Sequence, residues 1–490
     1  MASRVIHRPQ LPAVPRLPDW RLVAVVALAV TAGGFAVSES PLIALAAAAM
    51  VLAVGAASYD LVSAERAATL ILVYGVMILG KGWANLGIPG AIPIPATEIL
   101  FVPLAAIALM NRSTRLETRI LLPLCLYATL VGIRLFFDYP VWHILAIRDT
   151  TPALEAFILV IGYRAVMRDG VEAWSRRMRH LAVVVLIYGT LYPFVTDAGV
   201  TSPTVGLQRD APLLDPTGVK FSVIAMSLYF WIFGKGWVRF ASLGLALGLL
   251  AQYQARSLYV MMPIAILVSG WATRSTLRTL VRIVPAVVIA GLIIIWASAN
   301  AIEGTEGPIS TDFLSSHLNT LTGAEGPNAK TIDARQDFFS RTVSEVSQNP
   351  GTLIVGLGLG PDLTFGQWIG KEGQLVRNPH NSYLETFARS GLLGFTLWMW
   401  VLLGCVIPIA RRARSGSGPT ERFCAWILAA AVVYLGVAGV QPIMAFPYGS
   451  VPAFFLLGMG VAAARAKRID PDPPRGAHLA LDPALGTSAA

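Results

Sequence analysis

YLETFARSGLLGFTLWMWVLLGCVIPIA, residues 383–410, is an apolar run that follows a polar segment, 300–381, and ends at Arg411, Arg412 and Arg414. A helix needs about 20 apolar residues to cross the hydrocarbon of a bilayer. Backbone in lipid must also satisfy its own hydrogen bonds, so such a run reads as a transmembrane helix. Working outward, similar runs lie near 20–38, 41–58, 67–82, 97–110, 119–137, 150–167, 180–197, 218–234, 238–254, 257–272, 280–299, 422–441 and 448–464. The predicted fold is an all-α polytopic membrane protein of about 12–14 transmembrane helices, with one large periplasmic or extracellular loop containing short helices. The expected organisation is a disordered cytoplasmic tail (1–19), a bundle of about 11 helices (20–299) and the large loop (300–381). A further set of about three helices (382–464) and a disordered cytoplasmic tail (465–490) follow.

Composition agrees with this reading. The chain has 490 residues, 55% hydrophobic and only 13% charged, a balance typical of membrane bundles. Its net charge of +10 sits in short clusters between apolar runs, as topology signals do, and not along an aromatic-rich polar face. Nucleic acid is therefore not an expected partner. With the N-terminus inside, the inner connections carry Arg112/Arg115/Arg119, Arg168/Arg176/Arg177/Arg179, Lys235/Arg239, Arg274/Arg278/Arg282 and Arg411/Arg412/Arg414/Arg422. The alternation predicts an even number of spans, both termini cytoplasmic, and the 300–381 segment on the outer face. Cys125, Cys405 and Cys424 all fall in apolar runs and read as small buried hydrophobes.

Chemistry is expected where polar groups gather on that outer face. Arg256 lies in Gln252-Tyr-Gln-Ala-Arg-Ser257, a very short turn between two apolar runs. An Arg held toward hydrocarbon costs about 2.5–3.5 kcal/mol, so it either snorkels to headgroups or has a partner, a wet cavity or a ligand. Arg335, Arg341, Arg377, Arg209 and Lys220 share the same side. Guanidinium groups hold phosphate oxygens in fork geometry and keep their charge, so this set suits a diphosphate at the membrane surface. His380 in Asn378-Pro-His-Asn381 is the titratable candidate. A neutral imidazole can take a proton from a hydroxyl, and neighbouring arginines keep it neutral. The same four residues are also turn chemistry, and Ser382-x-x-Glu385 fits a capping box at a helix start. A capped helix start is itself an anion site, which would involve Asn381. Gly356-Leu-Gly-Leu-Gly360 lacks the Lys-Ser/Thr of a phosphate loop and reads as a flexible turn. His317 reads as solvated and His143 as part of an interfacial aromatic belt. No His, Asp and Glu cluster has metal-ligand spacing, so no metal and no cofactor are expected.

In order and spacing, Ala334-Arg335-Gln-Asp-Phe-Phe339, Gln348-Asn-Pro350, Gly356-Leu-Gly-Leu-Gly360, Pro379-His-Asn-Ser-Tyr-Leu-Glu385 and Gly391-Leu-Leu-Gly394 resemble the bacterial O-antigen ligase/O-antigen polymerase family. Ala255-Arg-Ser257 is similar to that family's Ser-Arg-Gly/Ser, with Ala for Ser. Asp215-Pro-Thr217 is similar to its Asp-Pro-Asn, with Thr for Asn. The resemblance covers roughly 205–395. It implies a metal-independent, inverting glycosyltransferase of the bacterial inner membrane, acting in cell-surface polysaccharide biosynthesis. The implied donor is a glycan on undecaprenyl diphosphate, and the acceptor a hydroxyl of a glycan, lipid or protein. Arg256 and Arg335 would hold the diphosphate and His380 would activate the acceptor. Ligase and polymerase remain alternatives, as do a transporter or flippase of lipid-linked sugars and a non-catalytic assembly partner.

Overall fold

The computed structural model describes residues 61–84, 86–88, 94–111, 116–195, 216–300, 302, 304, 309–310, 329–366 and 377–466. The elements are α1 (Leu61–Leu79), α2 (Lys81–Ala84), a two-residue antiparallel pair β1 (Gly87–Ile88) and β2 (Ile94–Pro95), then α3 (Ala96–Met110), α4 (Thr118–Trp142), α5 (Ile144–Glu155), α6 (Ile158–Asp169) and α7 (Val171–Val195). They continue with α8 (Pro216–Phe233), α9 (Val238–Tyr253), α10 (Arg256–Ala272), α11 (Thr276–Ala299), α12 (Ala329–Ser347), α13 (Pro350–Val355), α14 (Ser382–Ala413), α15 (Pro419–Ala438), a 3-10 turn (Ile443–Ala445) and α16 (Pro447–Arg465).

The protein is all-α apart from that short β pair, and it is a polytopic membrane protein. Six of its described helices are long and apolar enough to span a bilayer, and four shorter apolar helices accompany them. Every apolar run that falls on described residues is helical. One differs in form: the run at 150–167 is divided between α5 and α6, with a turn at Ala156 and Phe157. The runs at 20–38 and 41–58, the tail at 1–19, the tail from 467 onward, His317 and Arg209 lie outside the described residues.

Side-chain size is distributed as lipid demands. On α11 the buried positions include Thr279, Ala286, Ala290 and Ala297, while Leu277, Val281, Val284, Val288, Leu292 and Ile295 are exposed. Lipid solvates large aliphatics as well as a protein core does, so helices associate through small residues that let backbones approach. Gly244 and Gly248 of α9 lie against Ile289 and Ile293 of α11 for this reason. In the centre, α16 is almost wholly buried against α6, with Gly162 on the carbonyl of Phe455 and Gly458 on that of Leu159. A β-carbon at either glycine would collide with backbone, which cannot move as a side chain can.

Candidate active site

At one end of the bundle the starts of two helices come together at the turn after α15. Gln441, in the turn after α15, donates from Nε2 to Ser257 Oγ at 3.3 Å, and its carbonyl accepts from Ser382 Oγ at 3.1 Å. Ser382 Oγ in turn accepts from the amide of Met444 at 3.2 Å. One residue thus clasps the start of α10, where Arg256 is the first helical residue, to the start of α14, just after His380. Asn381 caps α14, its Oδ1 accepting from the amides of Tyr383 (2.9 Å) and Leu384 (3.0 Å). The capping-box reading is corrected here: the cap is one residue earlier than Ser382, and Glu385 bonds Arg389 instead of reaching back.

His380 is half-buried with φ +53°, a left-handed conformation that most side chains avoid. Its Nδ1 meets Asn378 Oδ1 at 3.0 Å. Burial, and then the charge of Arg335, push its pKa down to about 4, against a smaller upward pull from the bond to Asn378. Arg335, on α12, has its own pKa lowered by burial and by Arg256. Its Nε is buried without a hydrogen-bond partner. Arg256, Arg335 and His380, far apart in sequence, therefore form one electrostatic group. Two guanidiniums within electrostatic reach of each other, one with a buried donor unsatisfied, suit a multiply charged anion. Lys220 lies at this end too, on the second turn of α8 beside the ring of Phe221.

Two other sequence candidates pair with carboxylates of the protein itself. Arg341 is six residues beyond Arg335, on another face of α12, and pairs with Asp337 at 2.9 Å. Arg377 donates to the Gly360 carbonyl and lies 3.5 Å from Asp149. The structure does not bring either into the group around His380.

The loop at 356–360 is rigidly held, not the flexible turn expected. Gly356, Gly358 and Gly360 all have positive φ. The amide of Leu359 donates to Asp138 Oδ2 at 2.7 Å and that of Gly360 to Asp149 Oδ2 at 2.8 Å. Such consecutive amides make an anion nest, and here the protein's own carboxylates fill it. Asp149 also binds Arg389 at 2.7 Å, and Arg134 donates to the Gly356 carbonyl at 3.3 Å. Close by, Gly391 (φ +62°) breaks α14 so that its backbone can pass Ile354 and Gly356. Asn349 caps α13 by accepting from the Thr352 amide at 2.9 Å, which accounts for the Asn-Pro. Sequence reasoning did not single out Gln441, Arg134 or Asp138. The signals were a Gln at the end of an apolar run, and an Arg–Asp pair four apart inside another.

Asp149 and Arg389 are 6% and 7% exposed. Removing one member of a buried ion pair strands the other, at a cost of about 3–5 kcal/mol. Asp149→Asn is therefore expected to lower thermal stability in detergent sharply. An unchanged unfolding midpoint would show that the network does not hold the loop.

Apart from Asp215-Pro-Thr217, the motifs that carried the resemblance lie on these elements, from α10 to the break in α14. Residues 240–399 match the O-antigen ligase family. The match includes Arg256, Arg335, Arg377 and His380 and bears out the resemblance, while leaving out the part of it at 205–239. It supports an O-antigen ligase- or polymerase-like function, that of a glycosyltransferase-like membrane enzyme with the bilayer and glycans as partners. Among curated proteins, none matches the chain.

Proposed function

We propose that the protein transfers a glycan from undecaprenyl diphosphate to an acceptor hydroxyl at the outer face of the bacterial inner membrane, with both termini cytoplasmic. The observation that carries this reading is the group Arg256–Arg335–His380, in which Arg335 is linked electrostatically both to Arg256 and to a half-buried imidazole whose pKa is pushed down. The polyprenyl tail stays in lipid while Arg256 and Arg335, assisted by Lys220, bind the diphosphate. If Nδ1–H donates to Asn378, Nε2 carries the lone pair and is the basic nitrogen. The acceptor O–H gives its proton to Nε2 as its oxygen attacks the anomeric carbon. The anomeric C–O bond breaks on the opposite face, and its electron pair leaves with the diphosphate. Attack opposite to departure inverts the anomeric centre. The arginines stabilise the charge that develops on the leaving group, so electrostatics supplies most of the rate without a metal ion.

Donor binding also tunes the base. A diphosphate beside Arg335 offsets the positive charge that depresses His380, and its own negative charge favours imidazolium. His380 is thus a weak base in the empty site and a stronger one once donor is bound.

The reading is tested by the surface glycans of a deletion strain. Long chains left on the lipid carrier indicate a ligase; single repeats attached to the acceptor indicate a polymerase. Accumulation of donor on the inner leaflet would overturn both in favour of a flippase.

A further inference from the structure

A second polar cavity lies at the end of the bundle away from His380. It has a volume of about 270 Å³ and is lined by Arg239, Arg282 and Arg422, by Ser269, Thr273, Ser275 and Thr279, and by Trp231 and Glu421 among others. Ser269 is thirteen residues along α10 from Arg256, roughly 20 Å at 1.5 Å per residue. The two sites therefore sit at opposite ends of the same helix.

The charge in this cavity is unbalanced. Among the described residues Glu421 is the only carboxylate in its wall, and it is engaged by Arg412 from outside at 3.3 Å. Arg239 donates to the Gly234 carbonyl at 3.0 Å, but its Nε is buried with no partner. Arg422 donates to the Ile232 carbonyl and stacks over Phe233. Thr273, Ser275 and Thr279 form a chain of hydroxyls, at 2.8 and 3.5 Å, with Thr273 also bonded to the carbonyl of Ser269. Three guanidiniums, a stranded N–H donor and a row of hydroxyls form a set whose positive charge favours a tetrahedral oxyanion over a neutral acceptor.

We propose that this cavity is a second anion site, binding a phosphate group at the membrane end opposite the candidate active site. Basic pockets between membrane helices are suited to the headgroups of anionic lipids, and free phosphate offers the same chemistry.

The test uses the full-length protein purified in a neutral detergent, with its unfolding midpoint followed against two probes. One is phosphatidylglycerol in mixed micelles, compared with phosphatidylcholine; the other is inorganic phosphate, compared with chloride at equal ionic strength. The midpoint should rise with phosphatidylglycerol if the source is a lipid, and equally with inorganic phosphate if it is the free ion. In Arg239→Gln/Arg282→Gln, half-saturation should move up by about tenfold or more. Ser417→Glu, at an exposed turn in the cavity wall, should weaken binding similarly without removing any packing. Wild-type affinity in both variants would overturn the proposal, because the anion would then be held at Arg256 and Arg335 or nowhere specific. No rise with either probe in the wild type would overturn it as well.

Discussion

His380→Ala is expected to abolish glycan transfer, a loss of about 10²–10⁴-fold, while protein level and donor binding are kept. The imidazole sits at the start of α14, but the cap there is made by Asn381, so its removal leaves the helix intact. Loss of activity only through loss of folded protein would defeat the assignment of His380 as base. The pH profile offers an independent check. With a pKa of about 4 in the empty site, the imidazole is neutral at every pH well above that, so kcat/KM should be flat down to about pH 5 and fall as pH drops through about 4. In the donor complex the pKa is raised, so kcat should begin to fall at a higher pH than kcat/KM does. An acid limb of kcat/KM at the ordinary histidine value would mean that the group limiting the reaction is not this one. Folding is linked in the same direction. The unfolded chain binds a proton here between about pH 6.5 and 4 and the native site does not, so this histidine's contribution to stability declines as pH falls across that window.

Arg335→Lys is expected to cut transfer by about 10²–10³-fold. The substitution keeps the positive charge, and with it the influence on His380, but removes the fork that meets two phosphate oxygens at once. It therefore separates geometry from charge. Transfer assayed at matched protein level decides it, and near wild-type activity would make Arg335 a structural residue. A transporter of lipid-linked sugars, by contrast, would tolerate His380→Ala and suffer at Arg256.

The helices were legible because lipid leaves few choices. A run such as 280–299 has no alternative but to form α11, and composition alone marks it. What composition does not mark is a break within such a run. The separation of α5 from α6 has no local signal, and it is anchored by Glu155, whose carboxylate accepts from Ser450 on the remote α16. The same holds for Gly356 to Gly360. The three glycines read as a flexible turn, but the loop is held by Asp138 and Asp149, more than two hundred residues earlier. Arg335 and Arg341 looked equivalent as charges in one segment. Only the helical turn between them, with Asp337 at hand, sends one to the site and the other to the surface. His380 could be picked out because its neighbours Asn378 and Asn381 are sequence neighbours too. The clasp by Gln441 could not.

The short helices have a consequence for the membrane itself. Helix α10 has 17 residues, about 26 Å of rise, and turns Val260, Ile264, Leu267 and Trp271 outward as one apolar stripe. A typical hydrocarbon core is about 30 Å thick, so lipids along this stripe must compress or tilt to match it. Arg256 stands at the end of that stripe. In the proposed reaction, a polyprenyl carrier approaching there would meet a thinned bilayer, which would bring its diphosphate toward the arginines without leaving the headgroup layer. Membrane thickness would then be a variable of that reaction, set by the protein on the side where the donor enters.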